Sequence, residues 1–329
     1  MALINTKKSV LFLNPGGATL PVPITGFVET KDAVLIVPEF TSTEINRVSG
    51  KLNTKDEIVD TCRTKTTFDV PHVMRTNAKD GVALDTVPEY GLLLQAAGFD
   101  EVIDTATPGE ETVTYTNNSD TIKQSSMVAY LDGNKFEMTD SLACGMTMDL
   151  VIGETALLTN NFQGYMDSAI PTPEANPVVT LSDEKALVVS CADIVTFDGV
   201  CLPLERVSIK MNEEIQDLYT MGGACGLKSN FVADYAMTID FDFYVDSATY
   251  DREALNIESG DFKEMIIKIG LDSTSTEVNG QSVVMTIPFT KTTTYSDAVD
   301  KDLLKRTTTA RIFDDGVTPG LKIMTGWFN

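Results

Sequence analysis

Apolar and polar residues alternate with a period of two through many short stretches of this chain, the spacing that sends successive side chains to opposite faces of a strand. The clearest case is 231–246. There Phe231, Tyr235, Ile239, Phe241, Phe243 and Val245 share one face, while Asp234, Thr238, Asp240 and Asp242 share the other. One side of that strand suits a core and the other suits water. Thr-rich segments bounded by turn residues predict further strands at 33–37, 44–50, 64–74, 121–131, 134–140, 143–152, 155–165, 204–212, 262–271, 281–290, 305–313 and 321–328. Asp132, Gly133 and Asn134 tolerate the positive φ of a tight hairpin and predict one between two of these strands.

Two segments predict short helices. In 87–99, Pro88 stands where a first helical turn accepts it, an apolar body follows, and Gly98 supplies a stop. In 247–257, Ser247 or Thr249 can cap the start, and the segment ends before Gly260. The fold class expected is mostly β, a sandwich or partial barrel with one short helix per domain.

Several landmarks recur in the same order. ArgValSerGlyLysLeuAsn (47–53) returns as ArgValSerIleLysMetAsn (206–212), an offset of 206 − 47 = 159. Pro88 and Thr249, at the two helix starts, differ by 161, and GlnSerSerMet (124–127) and GlnSerValValMet (281–285) begin 157 apart. Gly164 and Gly326, each followed by an aromatic residue, are separated by 162. Recurrence at a near-constant offset predicts two tandem copies of one unit of about 160 residues. The expected division is 1–169 and 178–329. Between them lies IleProThrProGluAlaAsnPro (170–177), whose three prolines favour an extended connector.

Length and charge narrow the function. A chain of 329 residues is longer than one core usually serves, which agrees with two domains. With 48 acids against 25 bases the formal net charge is −23, and both halves are acidic: 12 bases and 22 acids in 1–165, 13 and 26 in 166–329. Phosphate affinity comes from Lys and Arg releasing condensed counterions, so sequence-specific nucleic-acid binding is not expected.

Catalytic and metal chemistry finds few residues to work with. The single histidine, His72, shares one strand parity with Phe68, Val70 and Met74 and reads as a core-facing strand residue. The cysteines Cys62, Cys144, Cys191, Cys201 and Cys225 form no CxxC pair and are odd in number, which favours reduced thiols, although Cys191 and Cys201 are close enough to pair across a hairpin. No phosphate loop, dinucleotide-binding turn or EF-hand loop occurs, so no cofactor and no metal is expected. AsnAsnSer (117–119) matches a glycosylation sequon, but ValLeuPheLeu (10–13) is too short for a signal-peptide core. Neither a signal peptide nor a membrane span is expected.

The order of features in 25–175 resembles the major tail protein, or tail tube protein, of bacteriophages with long non-contractile tails. The resemblance rests on GlyPheValGlu (26–29), ProGluPhe (38–40), ArgValSerGlyLys (47–51), ProGluTyrGlyLeuLeuLeuGlnAlaAlaGlyPhe (88–99), the hairpin around 121–140, AspLeuValIleGlyGlu (149–154) and PheGlnGly (162–164). It covers the first half well and the second more loosely. It implies β domains with a short flanking helix, six to a ring around a lumen, with rings stacked through a long loop. Two domains per chain would make the ring a trimer of chains. The implied partners are other copies of the chain, tail terminator, tape-measure and tail-tip proteins, and DNA that passes without specific binding. The implied location is the virion tail, after synthesis in the host cytoplasm.

For such a tube the expected lumen-facing acids are Asp234, Asp240, Asp242 and, on the 64–74 strand, Asp69. The expected ring-stacking loops are 53–62, with Asp56, Glu57 and Ile58, and 212–228, with Glu213, Glu214, Ile215, Leu218 and Tyr219. An acidic wall would repel the duplex, which carries about one charge per ~1.7 Å, and so let it slide. Two other classes fit the composition: another β-rich virion or surface subunit, such as a tail terminator, surface-layer or adhesive protein, and a carboxylate-based hydrolase. The hydrolase would need two acids roughly 5–10 Å apart in a cleft.

Overall fold

The structure is a computed structural model that describes residues 9–17, 19–21, 26–36, 39–46, 55–75, 87–105, 111–118, 124–166, 171–179, 184–219, 227–245, 257–278 and 280–326. The protein is mostly β. In chain order the elements are β1 (Ser9–Asn14), β2 (Phe27–Val28), β3 (Glu39–Asn46), β4 (Lys55–Val73), α1 (Tyr90–Ala96), β5 (Phe99–Asp104), β6 (Thr112–Asn117), β7 (Ser125–Leu131), β8 (Asn134–Val151) and β9 (Leu157–Met166). They continue as β10 (Thr172–Pro173), β11 (Ile194–Phe197), β12 (Val200–Cys201), β13 (Leu204–Tyr219), β14 (Leu227–Tyr244), β15 (Lys263–Ile269), β16 (Val283–Asp300), β17 (Leu303–Ile312) and β18 (Lys322–Gly326).

All of these strands join one hydrogen-bonded antiparallel system. Its backbone is a run of eight neighbours in the order β16, β17, β14, β13, β8, β9, β4, β3. At the centre of this run Arg206–Asn212 of β13 pair with Gly145–Val151 of β8, so the sheet passes without a break from one half of the chain to the other. Gly145 permits the close approach, since a Cβ there would stand 3.3 Å from the Met211 carbonyl oxygen.

A second layer covers the inner side. β15 pairs with β11 and β16, and β18 pairs with both β16 and β6, so the C-terminal strand is stitched to the first half of the chain. Asn117 fixes that stitch: its backbone N–H donates to the Leu321 carbonyl at 3.1 Å, and the Leu321 N–H donates to its side-chain oxygen at 2.6 Å. β1 adds to β7 and β2. α1 lies against β1, β5 and β6, and the buried Asn160 amide of β9 donates to its Leu93 carbonyl at 2.8 Å.

Strand pairing follows the same order in both halves. In the first, β3, β4, β9, β8, β7, β1 and β2 are successive neighbours; in the second, β13, β14, β17, β16, β15, β11 and β12 are. The expected repeat landmarks, however, do not fall on corresponding strands. The segment 206–212 lies in the body of β13 while 47–53 lies outside the described residues, Ser125–Met127 lie in β7 but Val283–Met285 in β16, and Gly164 lies in β9 but Gly326 in β18. One buried apolar cluster contains side chains from both halves, including Phe68, Phe162 and Leu93 from the first and Phe197, Phe241 and Ile267 from the second.

The alternation that predicts these strands is also what fills the core. Met237, Ile239, Phe241 and Phe243 of β14 are buried, and Phe68, Val70, His72 and Met74 are buried on or beside β4. Several expectations change in detail. The segments 134–140 and 143–152 are one strand, β8, which register shifts allow to bend without ending. The segment 33–37 supplies no strand among the described residues. Asp132 and Gly133 have φ of 46° and 82°, and the hairpin between β7 and β8 forms there. α1 ends at Gly98, whose φ of 81° suits glycine. Of the second expected helix, 247–257, residues 247–256 lie outside the described residues, and its last residue, Ile257, begins a short helical turn over 257–259. The connector 170–177 is fastened down: β10 pairs with Asn134 and Lys135, and Lys135 forms an ion pair with Glu174 at 3.3 Å.

Ile209 is fully buried at the central junction, level with Met148 on one side and Ile239 on the other. Ile209→Ala removes its side chain from packing contributed by both halves, and should cost about 2–4 kcal/mol in denaturant unfolding. Loss of one half's signal at lower denaturant, with the other half unchanged, would show that the junction does not couple them.

Candidate functional site

Two features of the eight-strand run stand apart from the core: its polar outer face and the two hairpin arms that extend beyond it. Residues paired across an antiparallel ladder lie on the same face. Asp69 pairs with Asn161, Asn161 with Gly145, Gly145 with Asn212, and Asn212 with Ala236, which has the same parity along β14 as Asp234, Asp240 and Asp242. All four acids expected to face a lumen therefore lie on one side of one sheet.

The charge on that side differs from the expected acidic wall. Among the described residues of the eight-strand run, Asp69, Asp149, Glu214, Asp234, Asp240, Asp242 and Asp300 share the face with Lys65, Arg206, Lys210, Lys291, Lys305 and Arg311. Acids and bases nearly balance there, although the chain as a whole carries −23. Three of the six bases form ion pairs among the described residues: Lys210 with Asp240 at 2.6 Å, Arg206 with Asp149 at 2.9 Å, and Lys305 with Glu205 at 2.6 Å and Asp242 at 3.5 Å. Burial works to raise the Asp240 pKa, but hydrogen bonds from Lys210 and from the Thr309 hydroxyl outweigh it and hold the carboxyl below its ordinary range. Thr67, Thr147, Thr159, Thr238 and Thr307 fill positions between the charges. Asp69 accepts from the Asn161 amide. Asp234 sits on the arm of β14, exposed, and accepts the Tyr235 backbone N–H at 2.8 Å. The basic partners were legible as the Arg206, Ser208, Lys210 alternation, which the emphasis on acids passed over.

The expected loops are strands for most of their length. β13 runs on to Tyr219, and β14 begins at Leu227, so Glu213, Glu214, Ile215, Leu218 and Tyr219 belong to a two-stranded arm. Likewise Asp56, Glu57 and Ile58 are paired with Ile45, Glu44 and Thr43 in the arm of β3 and β4. The polar residues there alternate with apolar ones, the pattern of a strand exposed on one or both faces. The tips, 47–54 and 220–226, lie outside the described residues, as do ArgValSerGlyLys (47–51) and the Gly222–Gly223 pair. From β3 to β13 the ladder crosses four antiparallel steps, so these two strands run in the same direction. Both arms consequently leave from the same end of the sheet.

The β13–β14 arm is anchored at its base by the first half. Asn230 donates to the Asp140 carbonyl at 3.1 Å, Gln124 donates to Asn230, and the Asn117 amide donates to the Tyr235 hydroxyl at 3.3 Å. Beside this anchor, Leu218 one step toward the tip and Phe231 one step toward the sheet are exposed large apolar residues. Glu213 is 6% exposed and neither carboxyl oxygen has a hydrogen-bond partner. Burial alone pushes its pKa up to about 8.

The remaining reactive groups are occupied structurally. His72 is buried, and its Nδ1 lies 2.7 Å from the Glu29 carbonyl; burial lowers its pKa, partly offset by that contact. It is a core histidine. Cys144, Cys191 and Cys201 are free thiols, so the pairing considered for Cys191 and Cys201 does not form. Burial pushes Cys144 up to about 11, away from nucleophilic reactivity. A cavity of about 400 Å³ is lined by Leu150, Val189, Val195, Leu202 and Ile267. Asp193 at its wall accepts backbone N–H groups from Ser190 and Leu271 at 2.7 and 3.1 Å. Among the described residues no group of three or more His, Cys, Asp and Glu side chains could hold a metal ion. None of their helices is long and apolar enough to cross a membrane. Comparison with models of known protein families and with curated proteins gives no match.

The Glu213 environment makes stability depend on pH. Folding raises this carboxyl above its unfolded value near 4.5, so between about pH 4.5 and 8 the native state keeps a proton that the unfolded chain has lost. Stability contributed by this group is full below that window and is lost as pH rises through it. Glu213→Gln should flatten this decline and raise stability at pH 8 by on the order of 1–3 kcal/mol. Thermal melts from pH 5 to 8.5 would show it, and an unchanged pH profile would mean the carboxyl is solvated.

Proposed function

We propose that the chain is a structural subunit of a phage tail tube, that its two halves are tandem copies of one tube domain, and that three chains form a ring of six domains. The observation that carries this reading is the continuous sheet. Each half contributes four strands to it, in corresponding order, with one hairpin arm, and both arms leave from the same end. A subunit for stacked rings needs a wall along the ring and contacts along the axis. The sheet suits the first and the arms the second. Three such chains supply 24 strands, which at about 4.8 Å spacing give a circumference of about 115 Å, or about 37 Å across the backbone before strand tilt widens it.

The polar face fits a conduit on electrostatic grounds. A wall with unpaired Lys and Arg would release counterions from DNA and hold it. Here Arg206, Lys210 and Lys305 are ion-paired with Asp149, Asp240, Asp242 and Glu205. A face whose acids nearly match its bases in number, and whose central bases are paired, offers the duplex little net attraction. In this reading Asp69, Asp240 and Asp242 line the lumen as members of paired networks, while Glu214, Leu218 and Phe231 on the arm meet the next ring. The acidic excess then lies mainly on surfaces away from this face. Tail terminator, tape-measure and tail-tip proteins would be its partners, and the virion tail its location.

Negative-stain electron microscopy of the concentrated protein should show hollow stacked rings with six inner lobes. Monodisperse particles without rings at every concentration would sink the tube. A change confined to the exposed apolar residues of the arm separates stacking from ring formation. Leu218→Asp with Phe231→Asp, both exposed, should leave a folded chain that forms rings but not tubes, and tubes of normal length from this variant would remove the arm's role.

A further inference from the structure

The junction between β13 and β8 joins the end of one four-strand unit to the beginning of the other, and the chain carries the same two kinds of edge again at the outer ends of the run. Corresponding ladders identify them. Pro71 and Thr159 are paired in β4 and β9, and their counterparts in β14 and β17 are Tyr244 and Lys305. Thr159 pairs next with Thr147 of β8, and Lys305 with Ala298 of β16. The part of β8 that receives β13 therefore corresponds to the C-terminal part of β16. Among the described residues, β16 beyond Thr290 pairs only with β17, and its other edge is open.

The opposite end of the run is also open. Among the described residues β3 pairs only with β4, and the segment before it, Ala33–Ile36, forms no strand. The Lys31 N–H donates to the Pro71 carbonyl, so this segment enters alongside β4 as β13 enters alongside β14. Val34 and Ile36 are buried while Leu35 between them is 58% exposed. That is strand alternation without a strand partner, and it explains why 33–37 reads as a strand in the sequence.

We propose that Ala33–Ile36 and β3 of one chain add, antiparallel, to the 294–300 edge of β16 in a second copy of this chain, repeating between chains the junction that β13 makes with β8 inside one. The acceptor edge is held ready. Arg306, almost wholly buried, forms an ion pair with Asp297 through two hydrogen bonds of 2.6 and 2.8 Å and lies over the Tyr295 ring at 4.5 Å. Val299 beside them is 76% exposed, an apolar residue on an open strand edge, the type of edge that recruits another strand. The junction is heterologous, so each chain keeps one donor and one acceptor edge and addition continues until the rotation closes a ring. The inference rests on the tube reading only for that closure.

The test uses two full-length variants that block one edge each. Leu35→Lys spoils the donor and Val299→Lys spoils the acceptor; both residues are exposed in the isolated chain, so unchanged melting temperatures serve as the folding control. Each variant alone should be monomeric by analytical ultracentrifugation. Their mixture should form a one-to-one dimer that grows no further, because one intact donor and one intact acceptor remain. Ring or tube formation by either variant alone would overturn the junction while leaving the tube reading intact, and so would a mixture that stays monomeric at high concentration. A one-to-one dimer from the mixture, with no rings from the unmodified chain, would keep the junction and end the tube reading.

Discussion

The ladder between Gly145–Val151 and Arg206–Asn212 is the constraint on which the rest depends. Without it the eight-strand run would be two four-strand pieces linked through the ladder of β18 with β6. With it, the acids and bases of both halves lie on one face, both arms point the same way, and within that run, among the described residues, β3 and the C-terminal part of β16 are the ends left without a further neighbour. The ladder holds because three conditions coincide. Gly145 lets the backbones approach, Ile209 and Met148 carry the core across the join, and Arg206 with Asp149 ties the outer side.

Much of the architecture was legible because alternation is a local signal. β4, β7, β9, β13, β14, β15, β17 and β18 overlap segments whose apolar parity could be read directly, and Gly98 and Gly133 mark turns that need positive φ. What was not legible depends on partners distant in sequence. β1, β2 and β5 are short; β1 is a strand because β7 pairs with it, and β2 and β5 pair in turn with β1 and β6, while the alternation of ThrValThrTyrThr in β6 was a local signal passed over. The loops expected after the ArgValSer segments are arms, since alternation of charged with apolar residues suits a two-stranded ribbon as well as a loop. The four acids Asp69, Asp234, Asp240 and Asp242 were correctly placed on the polar side of their strands. Their neighbours could not be seen. Lys210 and Lys305 lie tens of residues away from Asp240 and Asp242 in sequence, and only the strand register brings them together.

In the proposed tube these pairings change how the wall works. Sliding would not need a bare acidic surface that pushes DNA away. It would need a wall whose charges offset one another, and the ion pairs of Arg206, Lys210 and Lys305 give the centre of the β8, β13, β14 and β17 face that character. Glu213 shows the opposite arrangement at the root of the arm. It is a buried carboxyl without a partner, tolerated because burial keeps it protonated near neutral pH.

The account stands or falls on whether one chain's open edges are completed by other copies in a closed set. Native mass spectrometry of the smallest assembly formed by the unmodified chain tests this most directly. With a chain mass of 35.8 kDa, three copies give 3 × 35.8 = 107.4 kDa. A species at that mass, or at whole multiples of it, is the predicted result. A spectrum holding only 35.8 kDa monomers under conditions where the chain is folded and concentrated would contradict it.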